Sequence, residues 1–144
     1  MASLTGSCLC GGIRYRYEGP LGAIVHCHCS RCRRWHGAAF RTRAVARRSG
    51  FAWTAGADLV ARYAMTPRAT KTFCRTCGSS LITEYAEEPD LVALPLGGVV
   101  GDVGAPPAFH IFVGSKAAWH TITDALPQYD ELPPDRELIH RVEP

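Results

Sequence analysis

The chain lacks any apolar run long and clean enough to cross a bilayer as a helix. Its most apolar stretch, Leu91 to Gly101, is short and broken by Pro95 and the Gly97-Gly98 pair. Residues 1–12 lack a basic segment followed by an apolar one, which argues against a secretory leader and predicts a cytoplasmic protein with no membrane partner. No window sustains a 3.6-residue apolar period and no repeat appears, so a helical bundle and a solenoid are both excluded. Acids are nearly missing from one segment. Between Arg31 and Arg75 stand eleven Lys and Arg residues and a single acid, Asp58, although the formal net charge of the whole chain is only +3. A basic middle attracts an anionic ligand, while most of its arginines, taken singly, read as a solvated face. No recognition motif accompanies them, which argues against nucleic acid.

What is present is thiol in unusual order. Seven cysteines fall in three groups: Cys8-x-Cys10, Cys27-x-Cys29-x-x-Cys32 and Cys74-x-x-Cys77. An odd number cannot be fully paired as disulfides, and in a reducing compartment grouped cysteines suit a metal better. The two outer pairs make one complete four-thiolate zinc site, and the middle trio makes a second site one ligand short. This predicts about two zinc ions per chain. A single structural zinc with unligated thiols is the alternative partition. In an extended segment Cys27 and Cys29 face the same way, and a turn at Ser30-Arg31 brings Cys32 back to them. The alternation sends His26 and His28 to the other face. His36, four residues after Cys32, reads in three ways: a fourth ligand closing the site, a proton donor, or a surface histidine.

The 144 residues fit one domain. Short alternating stretches separated by Gly and Pro predict a mostly β fold with little helix. Strands are expected over Gly6–Tyr17, Val25–Cys29, Ala39–Ala46, Phe51–Trp53, Leu59–Tyr63, Thr70–Phe73, Leu81–Tyr85, Leu91–Leu96 and Phe109–Val113. Ser30 is expected to cap a short helical turn through Trp35 that Gly37 ends. Cys74-Arg75-Thr76-Cys77-Gly78 reads as a zinc knuckle, its glycine permitting left-handed backbone. The segment Tyr129–Pro144, rich in proline and acid, is expected as an irregular tail, packed over the fold or forming a homodimer contact.

The segments GSCLCGGIRY, HCHCSRCRRWHGAAF, FCRTCGSSL and HIFVGSKAAWHTITDALPQYDELP resemble the glutathione-dependent formaldehyde-activating enzyme family, whose relatives include centromere protein V. The resemblance runs from Gly6 to about Leu132. It implies a single domain over 1–144 with its core in about 6–132, built as a zinc-stabilised β-tent of antiparallel sheets, Mss4-like. It implies a structural zinc on Cys8, Cys10, Cys74 and Cys77 and a catalytic zinc on Cys27, Cys29 and Cys32. The implied activity is a carbon–sulfur lyase reaction between formaldehyde, or another small aldehyde, and glutathione or a related small thiol. Ala118 stands where proline is expected in the family's S-K-A-P-W segment.

Zinc held by three thiolates carries net negative charge, which makes it poor at generating hydroxide and suited to holding an external thiol as thiolate. Arg31, Arg33 and Arg34 are candidates to offset that charge. Arg33, Arg34, His110, Lys116 and Trp119 are candidate substrate contacts. The other function class open to this sequence is a non-catalytic, zinc-stabilised binding module that presents its basic face to an anionic partner.

Overall fold

The computed structural model describes residues 1–143, so Pro144, the end of the predicted tail, lies outside the described residues. The fold is two β-layers and two short helices. The smaller sheet has the order β10 (Val99–Val100), β1 (Ala2–Ser7), β2 (Arg14–Gly19), β5 (Phe51–Ala55). The larger has the order β11 (Phe109–Ile111), β3 (Val25–Cys27), β4 (Arg41–Arg47), β9 (Leu91–Pro95), β8 (Ser80–Tyr85), β7 (Ala69–Cys74), β6 (Val60–Ala64). All neighbours run antiparallel except β11 with β3, which are parallel. The arrangement is consistent with the Mss4-like β-tent. Among the described residues no helix is long and apolar enough to cross a membrane.

The expected single strand over Gly6–Tyr17 is instead a hairpin. β1 and β2 alternate strictly between buried and exposed positions, and Cys8–Gly12 form the turn that joins them. The sequence reading missed β1 because ASLTGS carries no aromatic or β-branched pair to mark a strand. In β2 the arginines point outward while Tyr15 and Tyr17 are buried. Gly6 lies opposite Tyr15, and a Cβ there would sit 2.2 Å from the phenol ring, so the ring packs flat only over glycine. Trp53 meets both Tyr15 and Phe51 edge to face, with Phe51 and Trp53 centroids 4.8 Å apart.

One face of the larger sheet, with Ala46, Ile82, Val92 and Leu94, packs on the smaller sheet to form the main core. A second cluster, on the other face, gathers Val25, Cys27, Cys32, Phe109, Ile111 and Ile139. Ile139 belongs to α2 (Glu137–His140), so the predicted irregular tail contains a helical turn that packs over the fold. Most arginines of the basic segment, taken singly, read from sequence as a solvated face, and β4 departs from that. It sits inside the larger sheet with both faces covered, and Arg41 and Arg43 are buried.

Candidate metal centre

Two hairpin turns meet at one end of the molecule. The β1–β2 turn brings Cys8 and Cys10, and the β7–β8 turn brings Cys74 and Cys77. The four sulfurs lie within 4.8 Å of one another, with Cys8 and Cys10 Sγ 3.5 Å apart and Cys10 and Cys74 Sγ 3.9 Å apart. These separations are far beyond the roughly 2 Å of a disulfide. They match the sulfur spacing of about 3.8 Å that a tetrahedral Zn–S bond of about 2.3 Å requires. The turns aim amides inward: Ile13 N donates to Cys8 Sγ at 3.3 Å. In the β7–β8 turn, Gly78 takes φ +76°, and its N–H donates to the Cys74 carbonyl at 2.8 Å. The Ser79 hydroxyl receives the Leu9 N–H at 2.7 Å and lies 3.2 Å from Cys77 Sγ, tying the two turns together. The donor set fits a closed structural zinc.

The second group is built where β3 runs into α1 (Ser30–His36). Cys27, Cys29 and Cys32 have sulfurs within 4.8 Å of one another, and Cys27 and Cys32 are buried. The helix cap is Cys29 rather than the expected Ser30: its Sγ accepts the Cys32 N–H at 3.3 Å, while Gly37 in left-handed backbone ends the helix. A cysteine thus both caps the helix and turns Cys32 toward its neighbours. Hydrogen bonds from the Cys27 and Cys32 thiols, then the Cys32 and Arg31 amides, lower the Cys29 thiol to about 2, while sharing with Cys29 and Cys32 raises Cys27. Cys32 is raised as well, so the trio favours one thiolate, at Cys29, and needs a bound cation to ionise the other two; as a donor set it fits a metal with an open position. His36 does not join the group.

The trio forms one end of a cavity of about 400 Å³. Its walls carry Arg31, Arg41, Arg43 and Lys71, with Thr83, Tyr85 and His140, and no acid is among its lining residues. The apolar part comes from Met65, Ile111, Phe112, Leu132 and Ile139. Sheet register sets this up, since Arg41 is the cross-strand partner of Cys27 and Lys71 is that of Thr83. Arg41, Arg43 and Lys71 are each less than a tenth exposed, and among the described residues none has a carboxylate partner. Arg41 Nη1 and Lys71 Nζ both donate to Thr83 Oγ1, at 3.3 and 3.0 Å, and Arg43 Nη1 donates to the Ile139 carbonyl at 3.3 Å. Buried cations without acids are costly unless an anion neutralises them. The thiols supply part of that anion.

The residues proposed from sequence for substrate contact lie elsewhere. Arg34 is exposed and Arg33 half-buried on α1, and neither lines the cavity. Trp119 is 75% exposed. Lys116 Nζ donates to the His120 and Ala117 carbonyls, closing its own turn. His110 is buried on the opposite face of the sheet, where its Nε2 bonds the Asp124 carboxylate at 3.0 Å and its Nδ1 lies 2.8 Å from His28 Nε2. His26 bonds Thr42 there at 2.8 Å. His36 lines a different, open cavity shared with Trp35 and Arg41. Burial, then the charges of Arg41 and Lys71, lower its imidazole to about 4. The residues missed from sequence are Arg41, Arg43, Lys71 and Thr83. The available signal was the i, i+2 spacing of Arg41 and Arg43 on a strand.

Two β-layers meet at a four-thiol cluster, and a separate three-thiol cluster opens on a cationic cavity, so the chain carries two thiol groups that could each hold a metal ion. The chain belongs to the glutathione-dependent formaldehyde-activating enzyme family, whose sequence profile matches residues 3–115. It is similar to a crystal structure of a Rhodobacter sphaeroides protein, at 29% identity and a TM-score of 0.56, over 72% of this chain and 91% of that one. No curated protein matches it.

Proposed function

We propose that the chain is a zinc-dependent enzyme of carbon–sulfur lyase type. It makes and breaks the adduct of a small anionic thiol, such as glutathione, with formaldehyde or another small aldehyde. The observation that carries this reading is the single cavity with three thiols at one end, buried cations in its walls and no acid among its lining residues. Cys27, Cys29 and Cys32 would hold a zinc ion that keeps an incoming thiol ionised and nucleophilic. Cys8, Cys10, Cys74 and Cys77 would hold a second zinc whose part is structural.

The chain's own groups do the rest. Three thiolates around a dication leave one negative charge, and the buried cations Arg41, Arg43 and Lys71 bring three positive ones, the exposed Arg31 at the rim being screened by solvent. A bound thiolate bearing one further anionic group would balance the buried charges, so the site favours a thiol that carries a carboxylate. Arginine forks suit carboxylate recognition. Ile111, Phe112, Leu132 and Ile139 give the cavity an apolar wall against which a small aldehyde would sit. The position of His36 outside the thiol group supports this reading over a non-catalytic module with a closed metal site. Carbon-13 exchange spectroscopy with labelled formaldehyde and glutathione tests it. Zinc-loaded protein should speed exchange between free and adduct carbon, and Cys29→Ser should abolish the effect. No acceleration with glutathione or with other carboxylate-bearing thiols would overturn it.

A further inference from the structure

The proposed reaction has to move one proton. An incoming thiol gives it up on binding, and the aldehyde oxygen needs one when the carbon–sulfur bond forms. Few groups around the cavity can carry it. The arginines keep their protons at every accessible pH. The His140 ring stacks on Tyr85 with centroids 5.8 Å apart, and its Nδ1 lies 3.5 Å from Glu88, so it is held toward a neighbouring acid.

Lys71 is placed differently. It is 4% exposed and lines the same cavity as the three thiols. Its Nζ donates to Thr83 Oγ1, an atom already fixed by the Arg41 hydrogen bond. An ammonium has three protons to give, so two remain unused in that geometry. The sequence offers β7 no acid to pair with it.

We propose that Lys71 is a catalytic residue of this site, the proton carrier that takes the proton of the incoming thiol and delivers it to the aldehyde oxygen. The inference rests on the functional reading above. The neutral amine accepts the thiol proton and becomes ammonium. The thiolate sulfur then forms its bond to the carbonyl carbon, the carbonyl π pair moves to oxygen, and that oxygen takes a proton from Nζ. Lys71 returns to the amine, and thiol plus aldehyde has become a hydroxyalkyl thioether with no proton left over. Cleavage runs the same path backwards, with the amine removing the hydroxyl proton as the carbon–sulfur bond breaks.

The surroundings suit that role. Burial, then the Arg41 charge, lowers the Lys71 ammonium to about 8, against an opposing pull from Cys32, Cys29 and Cys27. Both forms are therefore populated near neutral pH, as a carrier requires. The charged and titratable groups facing it are Arg41 and Arg43 from β4, Tyr85 from β8, Cys27 from β3, Cys29, Arg31 and Cys32 at the start of α1, and His140 from α2. His36, on the far side of Arg41, also feels its charge.

A purely structural role, offsetting thiolate charge, would be filled equally well by arginine. Zinc-loaded wild type, Lys71→Arg and Lys71→Met should therefore be compared. Calorimetry of glutathione binding at pH 8, in two buffers of different ionisation enthalpy, counts the protons released. Wild type should release measurably fewer protons than Lys71→Arg, because the neutral fraction of its lysine takes one up. In the exchange assay Lys71→Arg should lose about 100-fold in rate, the lower end of general acid–base catalysis, and lose the pH limb near 8. Lys71→Met should lose as much while keeping its fold, since it removes a buried, acid-free cation. Equal proton release by wild type and Lys71→Arg, or an unchanged rate and pH profile in Lys71→Arg, overturns the proposal alone. Thiol binding without any exchange in wild type overturns the enzymatic reading and the catalytic role with it.

Discussion

Loss of a thiol from the outer cluster should cost far more stability than loss of one from the inner cluster, even at matched burial. Cys74 is 0% exposed and Cys32 is 4% exposed, so a serine at either meets a similar interior. What differs is the chain that each cluster gathers. Cys10 and Cys74 are separated by 64 positions and bridge the two sheets, whereas the inner three thiols fall within one short segment. An unfolded chain can offer the inner trio to zinc at little cost, and a metal that binds the unfolded state stabilises the fold less. Closing the 64-residue segment costs about 3.7 kcal/mol of loop entropy and the five-residue segment about 1.4 kcal/mol. The outer site should thus contribute about 2.3 kcal/mol more to folding from this source alone. At roughly 3 °C per kcal/mol, Cys74→Ser should melt about 7 °C below Cys32→Ser. Thermal melts of both zinc-loaded variants read this directly. Equal losses, or a larger loss in Cys32→Ser, would refute the assignment of the outer cluster as the structural staple.

Other outcomes follow from the same geometry. Ile139→Ala should cost about 2–5 kcal/mol by urea unfolding, as it empties a buried position that caps both the second cluster and the cavity. Arg41→Met should weaken glutathione binding by about 10-fold or more in titration calorimetry, the value of a charged hydrogen bond. A neutral thiol should bind the same variant unchanged. Arg34→Ala, at an exposed position outside the cavity, should change neither. For pH, burial holds the folded-state pKa of His36 down at about 4, below its ordinary 6.5. The unfolded state therefore takes the proton first, and this contribution is whole above pH 6.5 and lost as pH falls from there toward 4. His36→Gln should flatten the melting temperature across that window.

Much of this was legible in the sequence. The thiol spacing separated the two clusters because local geometry decides it: two cysteines flanking a turn, or two at alternate positions on a strand, converge whatever surrounds them. Gly78 and Gly37 were readable for the same reason, as both occupy left-handed backbone. The cationic wall was not. Alternation along Arg41–Arg47 says which residues share a face, but not whether a helix from the far end of the chain covers that face. The helix that brings Ile139 beside Cys27 and Cys32 also supplies the carbonyl that Arg43 bonds, and Arg41 and Arg43 are both buried. The histidines misled in the opposite sense. His110 stood in a segment close to the cysteines in space, yet its register against β3 pairs it with His26, on the face turned away from the thiols.

If the trio of Cys27, Cys29 and Cys32 presents an open metal position within the cationic cavity, an external thiol should reach the metal. Replacing zinc by cobalt and recording the visible and near-ultraviolet spectrum while adding glutathione tests it most directly. A saturable change in thiolate-to-cobalt absorption is expected, one that Cys29→Ser removes, that S-methylglutathione fails to produce, and that Arg41→Met shifts to higher glutathione concentration. A cobalt-loaded protein whose spectrum is unmoved by glutathione, and becomes responsive only in His36→Ala, would contradict it.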